Sequence, residues 1–277
     1  MQVDLTPYKE ALIKRRAQAS TVIVFKSSDP KRLKPFLLFI NSYYEKKARK
    51  YNEEYRILLY KVRAGLFEVQ VDANGNVMKR PIAVTMQMQQ SPLARAISSM
   101  AQQMRIRDLG TAMNYIDDLF ETKSNICVVF WGIRGRSDIR DDFIDFVRNA
   151  IFSDEYYSKG HMVVIFTSDP EGLLDLDTLK HCIVIDIPPS KGDERYMLLK
   201  QLAEQLGFLK YGIIGEKELH ELSEIMRGLT LHEVEYVSLE SAYKYKKFDA
   251  RALTEKKIEV IKKYGIIIDI VYQGRCG

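Results

Sequence analysis

Residues 162–206 read MVVIFTSDPEGLLDLDTLKHCIVIDIPPSKGDERYMLLKQLAEQL. Met162 to Phe166 is an unbroken apolar run that stops at Thr167-Ser168-Asp169-Pro170. A strand that is hydrophobic at every position has both faces covered, the pattern of a parallel sheet between helix layers. A second short run, Cys182 to Ile187, ends at Pro188-Pro189, and Asp193-Glu194-Arg195 opens a helix. Strands alternating with helices in this way predict a parallel α/β sheet with right-handed crossovers.

The pattern continues upstream. Residues 7–19 read as a short basic helix, and Thr21 to Phe25 is a β-branched run that breaks at Ser27-Ser28-Asp29-Pro30. A capping side chain followed by proline starts a helix. Leu33, Phe36, Leu37, Ile40 and Tyr44 give that helix one apolar face. Arg56 to Val62 is a strand, and alternating runs on either side of Asp72-Ala73-Asn74-Gly75-Asn76 predict a β-hairpin. Residues 85–107 form a Met/Gln-rich stretch that reads as a mobile loop with a helix over Leu93 to Met104, or as an interaction surface. An amphipathic helix over 108–122 leads to the strand Ile126 to Trp131, the turn Gly132-Ile133-Arg134-Gly135-Arg136 and a helix to Phe152. From Gly215 onward the pattern is wholly helical. Three domains are therefore expected: a basic helix at 1–20, an α/β body at 21–210 with an insertion at 65–107, and a helical lid with linker at 211–277.

Apolar residues make up 46% of the 277, enough to bury a full core. No apolar run reaches the ~18 residues of a membrane span and no signal peptide opens the chain, so a cytoplasmic protein is expected. Residues 1–63 carry 15 Lys/Arg against 6 Asp/Glu, a local +9 within a chain of +5, so the remainder sums to −4. A positive end on a nearly neutral body suggests an electrostatic docking surface, or lysines that keep a long helix solvated. Neither the three cysteines nor the four histidines have metal-ligand spacing, so no metal is expected. Abundant Lys, Glu, Ile and Tyr with scarce His, Cys and Trp lean towards a heat-adapted source.

Several clusters could carry chemistry. Ser27, Ser28 and Asp29 stand between strand and helix, where a phosphate-binding loop would sit; with Lys31 and Arg32 they form a weakened anion site or, more simply, a helix N-cap. Trp131 and Gly132 end the Ile126 strand where hydrolysis would need a metal-binding aspartate and a water-orienting glutamate. Arg134 and Arg136, at a strand's carboxyl end, suit a phosphate, a nucleic acid or an acidic partner, or belong to a plain connecting loop. Asp138 and Asp142, with Asp117 or Asp118, offer the carboxylates of a metal-dependent nuclease, although acidic residues in a first helical turn are expected from the macrodipole alone. Lys14, Arg15, Arg16, Lys46, Lys47, Arg49 and Lys50, interleaved with Tyr43, Tyr44, Tyr51 and Tyr55, suit single-stranded nucleic acid.

The 162–206 stretch resembles the second half of an AAA-type ATPase core, in which a polar residue at a strand tip (Ser168 here) senses nucleotide and a Pro-x-x-x-x-x-Arg segment, Pro189 to Arg195, leads to the lid. The chain contains no Gly-Lys pair, and so no G-x-x-x-x-G-K-[ST] loop. Gly228-Leu229-Thr230-Leu231-His232-Glu233-Val234-Glu235 is similar to the lid signature of the nucleotide-degenerate N-terminal module in tandem AAA-type ATPases of archaea and plastids. Thr254-Glu255-Lys256-Lys257 through Lys262-Lys263-Tyr264-Gly265-Ile266 resembles that group's linker into a second, catalytic module. The family's arginine fingers are replaced by Lys180-His181.

The resemblance implies a P-loop-less AAA-like core with a helical lid. It would act as a non-catalytic regulatory module, joined to an active ATPase or standing alone, and come from a thermophilic archaeon or one of its viruses. On that reading ATP and magnesium belong only to the second module. The partner is a protein or a nucleic acid, the isolated chain is mostly monomeric, and a viral source would make it virion-associated. A metal-dependent nuclease or DNA-binding domain is the alternative.

Overall fold

A computed structural model describes residues 3–84, 104–133 and 137–263; for 84, 104, 137–140 and 263 it describes the backbone alone. Most of the Met/Gln-rich stretch, including the helix expected over Leu93 to Met104, lies outside these residues, as do Arg134, Arg136 and the chain after Lys263. The described chain divides into two compact units, Leu5–Ile187 on one hand and Met1–Asp4 with Pro188–Gly277 on the other.

The larger unit is built in chain order from α1 (Thr6–Gln18), β1 (Val22–Lys26), α2 (Pro30–Tyr51), β2 (Arg56–Lys61), β3 (Gly65–Val71), β4 (Val77–Pro81), β5 (Ala83–Val84) and β6 (Met104–Arg105). It continues through α3 (Leu109–Thr122), β7 (Ile126–Trp131), α4 (Ser137–Phe152), α5 (Asp154–Ser158), β8 (Met162–Thr167), α6 (Pro170–Leu173), α7 (Leu176–Lys180) and β9 (Ile183–Asp186). Seven strands form one mixed sheet in the order β4-β3-β2-β7-β8-β1-β9. The five from β2 to β9 run parallel, and the expected hairpin extends the sheet as an antiparallel edge. β5 and β6 pair separately.

Alternation along the strands assigns the two faces. Val22, Val24, Leu58, Tyr60, Val128, Phe130, Val163 and Ile165 pack with Ile116 and Phe120 of α3 and Phe143 and Val147 of α4. Ile23, Phe25, Ile57, Leu59, Cys127, Val129, Val164 and Phe166 pack with Tyr8 of α1 and Phe36, Ile40 and Tyr44 of α2. Helices cover both faces, which is why these strands read as continuous apolar runs. Cys127 and Cys182 are buried, and desolvation pushes each thiol up to about 12, so they act as small hydrophobes.

The smaller unit packs α8 (Gly192–Gln205), α9 (Glu216–Ile225), α10 (Leu231–Tyr245) and α11 (Ala250–Lys263) around Leu199, Leu219, Met226, Val234, Val237 and Leu253. The composition shift suggested a boundary at 210/211, whereas the units divide at 187/188: Leu198, Leu199 and Leu202 of α8 belong to the same core as α9 and α10. No described helix is long and apolar enough to cross a membrane.

Candidate functional site

After β1 the chain moves outward to β2 and returns through β7 and β8, and then β9 crosses to the far side of β1. In open α/β sheets ligands bind at the carboxyl ends of the strands where the order reverses in this way. Lys26, the last residue of β1, lies between Thr167 of β8 and Asp186 of β9. Only Ser27, Ser28 and Asp29 connect β1 to α2. The Ser27 N–H donates to the Thr167 carbonyl at 2.8 Å, tying the loop to the sheet. Asp29 is buried, and its carboxylate accepts the Lys31 N–H at 3.0 Å while its carbonyl accepts the Arg32 N–H, also at 3.0 Å. This is the N-cap reading of Ser27-Ser28-Asp29, with Pro30 at the first helical position.

Along the same edge, Trp131 is half-buried with its ring 5.1 Å from that of Phe166, and Gly132 takes a left-handed turn at φ +79°. Ser168 is exposed. The buried polar residue at this strand tip is its neighbour Thr167, whose hydroxyl bonds the Asp169 backbone on both sides, at 3.2 and 3.3 Å. The sequence signal for Thr167 is the length of the apolar run: Met162 to Phe166 buries every position and carries the next residue in with it.

The basic residues gather at the opposite, amino end of the strands, where α1 and α2 finish. They are not one uniform patch. Arg15 is buried, donates to the His161 carbonyl at 2.7 Å and lies 4.8 Å from the Tyr157 ring. Lys47 donates to Asn125 Oδ1 at 2.6 Å, over Gly160, where a Cβ would come within 2.6 Å of the ammonium. Lys14 pairs with Glu10 at 2.8 Å, and Arg49 pairs with Glu45. Arg16, Lys46 and Lys50 remain exposed, Arg16 at 6.0 Å from the Tyr43 ring and Lys50 at 5.0 Å from Tyr51. Tyr44 is internal, its hydroxyl donating to the Gly160 carbonyl at 2.9 Å.

Beneath this surface His161 is fully buried and stacks on Phe120 at 4.3 Å. Its Nδ1 accepts the Ile126 N–H at 3.3 Å, so its Nε2–H donates to the Phe120 carbonyl at 3.0 Å. Burial, foremost, holds the imidazole down to about 4, with the cations of Lys159, Arg15 and Lys47 adding to the effect.

The nuclease candidates are placed as follows in the described chain. Asp142 is exposed on α4, Asp118 is exposed on α3, and Asp138 is described by its backbone alone. Asp117 is half-buried, and burial, then Glu121 and Asp118, raise its carboxyl to about 6. Among the described residues, no group of three or more His, Cys, Asp or Glu could hold a metal ion. Lys180, at the expected arginine-finger position, pairs with Asp177 at 2.9 Å.

In the smaller unit the motif residues make structure. Arg195 is buried and donates to the carbonyls of Ser223 at 2.5 Å and Ser190 at 2.6 Å, with Glu224 at 3.3 Å. Gly228 turns the chain at φ +92°, and Thr230 and Glu233 form a capping box at the start of α10. The Gly-Leu-Thr-x-x-Glu pattern is thus a helix stop followed by a helix start.

No protein-family model and no curated protein matches the chain. Among solved structures, a chain of the E. coli MS115-1 HORMA–CdnC–Trip13 complex is similar to it at 14% identity and a TM-score of 0.47, over 92% of this chain and 78% of that one. C. elegans PCH-2 is similar at 14% identity and a TM-score of 0.38, over 63% of this chain and 50% of that one. Likeness at this level fixes neither family nor function.

Proposed function

We propose that the chain is a non-catalytic AAA-like interaction module. It docks a protein partner through the amino edge of its sheet and regulates an active ATPase module, joined to it or seated beside it. The observation that carries this reading is Asp29. Its carboxylate already occupies the N-terminus of α2, accepting the Lys31 N–H at 3.0 Å. A phosphate arriving there meets a buried carboxyl group that already caps the helix, a three-residue link too short to arch around it, and Pro30, which offers no N–H. ATP and magnesium then belong to the catalytic module alone, and the likeness of 228–235 and 254–266 to a tandem-ATPase lid and linker supports that assignment. Titrating the chain with Mg-ATP in a calorimeter should give no binding heat; micromolar affinity would overturn the reading.

A protein partner suits the amino edge because that surface is mixed. Lys14 and Arg49 are each paired with a glutamate, Arg15 and Lys47 are committed to internal carbonyl groups, and Glu53 and Glu54 are exposed close by. Exposed Arg16 beside Tyr43 has the Arg-and-aromatic character of interface cores, and exposed Lys46 and Lys50 suit a polar rim around it. Substituting all three cations by Glu should abolish any effect of the chain on the partner ATPase's turnover. The second reading, single-stranded nucleic acid at the same surface, draws on the Arg16–Tyr43 and Lys50–Tyr51 pairs.

A further inference from the structure

We propose that the outward face of α10 is a self-association surface on which two copies of this chain pair antiparallel. The inner side of α10 buries Leu231, Val234, Val237, Ser238, Ser241 and Ala242. At 100° per residue, His232, Tyr236, Leu239 and Tyr243 fall within about 60° of one another on the opposite side. His232 is exposed, and Tyr236, Leu239 and Tyr243 are 57%, 41% and 83% exposed. The solvent side of a helix is ordinarily polar, so a seam of this length is a face awaiting a partner. Its spacing of four, three and four residues is that of the a and d positions of a heptad, which makes another helix the fitting occupant.

Charge selects which helix. The amino-terminal part of α10 carries Glu233 in its first turn and Glu235 in its second, and its carboxyl end brings Lys244 in the last turn, the C-cap Lys246 and Lys247 just after it, with the Lys246 ammonium 5.2 Å from the Tyr243 ring. Glu240, near the midpoint, is held by Lys256 of α11 at 3.2 Å, and Lys247 pairs with Asp249 at the same distance. A parallel copy would set acid on acid and base on base. An antiparallel copy sets each acidic end on the other's basic end and opposes the helix dipoles. The two-fold axis then passes beside Leu239, midway between His232 and Lys246, and the contact is isologous. The seam is short and the dimer weak, so the dilute chain stays monomeric.

Sedimentation equilibrium of the full chain from about 10 to about 500 µM tests the idea, a range chosen for a dissociation constant near 0.1 mM. The average mass should climb from 32.1 kDa towards twice that value, less steeply at high salt. Leu239→Glu should remain monomeric throughout while keeping the wild-type unfolding midpoint. Orientation is read by cross-linking in a Cys276→Ser background, Cys127 and Cys182 being buried. Under mild oxidation Leu239→Cys should couple with itself, and Tyr236→Cys should couple with Tyr243→Cys but poorly with itself. A monomer at the highest concentration, a dimer indifferent to Leu239→Glu, or self-coupling of Tyr236→Cys as efficient as that of Leu239→Cys would each overturn the proposal.

Discussion

His161, buried, and Asp117, half-buried, are groups whose preferred charge differs between folded and unfolded chains, in opposite senses. The fold keeps His161 neutral down to about 4, whereas the unfolded chain takes the proton near 6.5. Its contribution is therefore intact above pH 6.5 and is lost as pH falls towards 4, by about 3 kcal/mol in all. Urea unfolding at pH 7, 5.5 and 4 should show that decline. His161→Gln, which does not titrate there, should start about 1–3 kcal/mol lower at pH 7 and fall less steeply; an identical slope would assign the acid sensitivity to other groups. Asp117 is raised from 3.8 to about 6, so its ionisation costs stability as pH rises through that interval. After allowance for its partial exposure, Asp117→Asn should gain about 1 kcal/mol at pH 7.5 and nothing at pH 3.5. Equal thermal midpoints for variant and wild type at pH 7.5 would refute it.

At the scale of elements, the helix starts were legible because capping chemistry is local. Asp29-Pro30 announces α2 in sequence and its cap forms; at the start of α10 the structure shows a capping box between Thr230 and Glu233. Thr230→Ala should cost about 1 kcal/mol, read as a lower urea midpoint at unchanged slope. The Gly228–Glu233 pattern that resembles a lid signature has a local basis of the same kind, in φ +92° at Gly228 and the capping box after it. What the sequence hid is what depends on tertiary facing. Arg15 and Arg16 are adjacent and chemically equivalent, yet Arg15 is buried against His161 and Arg16 is exposed. Whether a lysine or arginine stays in water is settled by carbonyls far along the chain, 146 residues away for Arg15 and 78 for Lys47. Burial likewise passed over exposed Ser168 for Thr167, and the α10 seam is visible only once the buried side of that helix is known.

For the whole molecule, the two ends of the sheet differ in chemistry. At the carboxyl edge, the usual ligand edge of such a sheet, Asp29 caps α2, Trp131 packs on Phe166 and Ser27 is tethered to Thr167, while the amino edge presents Arg16, Lys46 and Lys50 to solvent. The alternation of strands and helices foretold a parallel sheet, but strand order follows from long-range pairing and was not written locally. This division fixes how much polyanion the chain can hold. Seven clustered cations would give a steep salt dependence; the three exposed cations outside the Lys14–Glu10 and Arg49–Glu45 pairs give by themselves a log–log slope of about −2.7 on duplex DNA and about −2 on single strands. Fluorescence anisotropy across a salt series should show that shallow slope or no binding at all. Alanine at Arg16, Lys46 and Lys50 should flatten it with little change in stability, since exposed cations contribute little. Lys47→Ala should instead leave the slope unaltered and lower the unfolding midpoint, because it leaves Asn125 Oδ1 without its 2.6 Å donor. A slope near −6 would mean that Arg15, Lys47 and the paired cations turn outward on binding, and that the amino edge rearranges around nucleic acid.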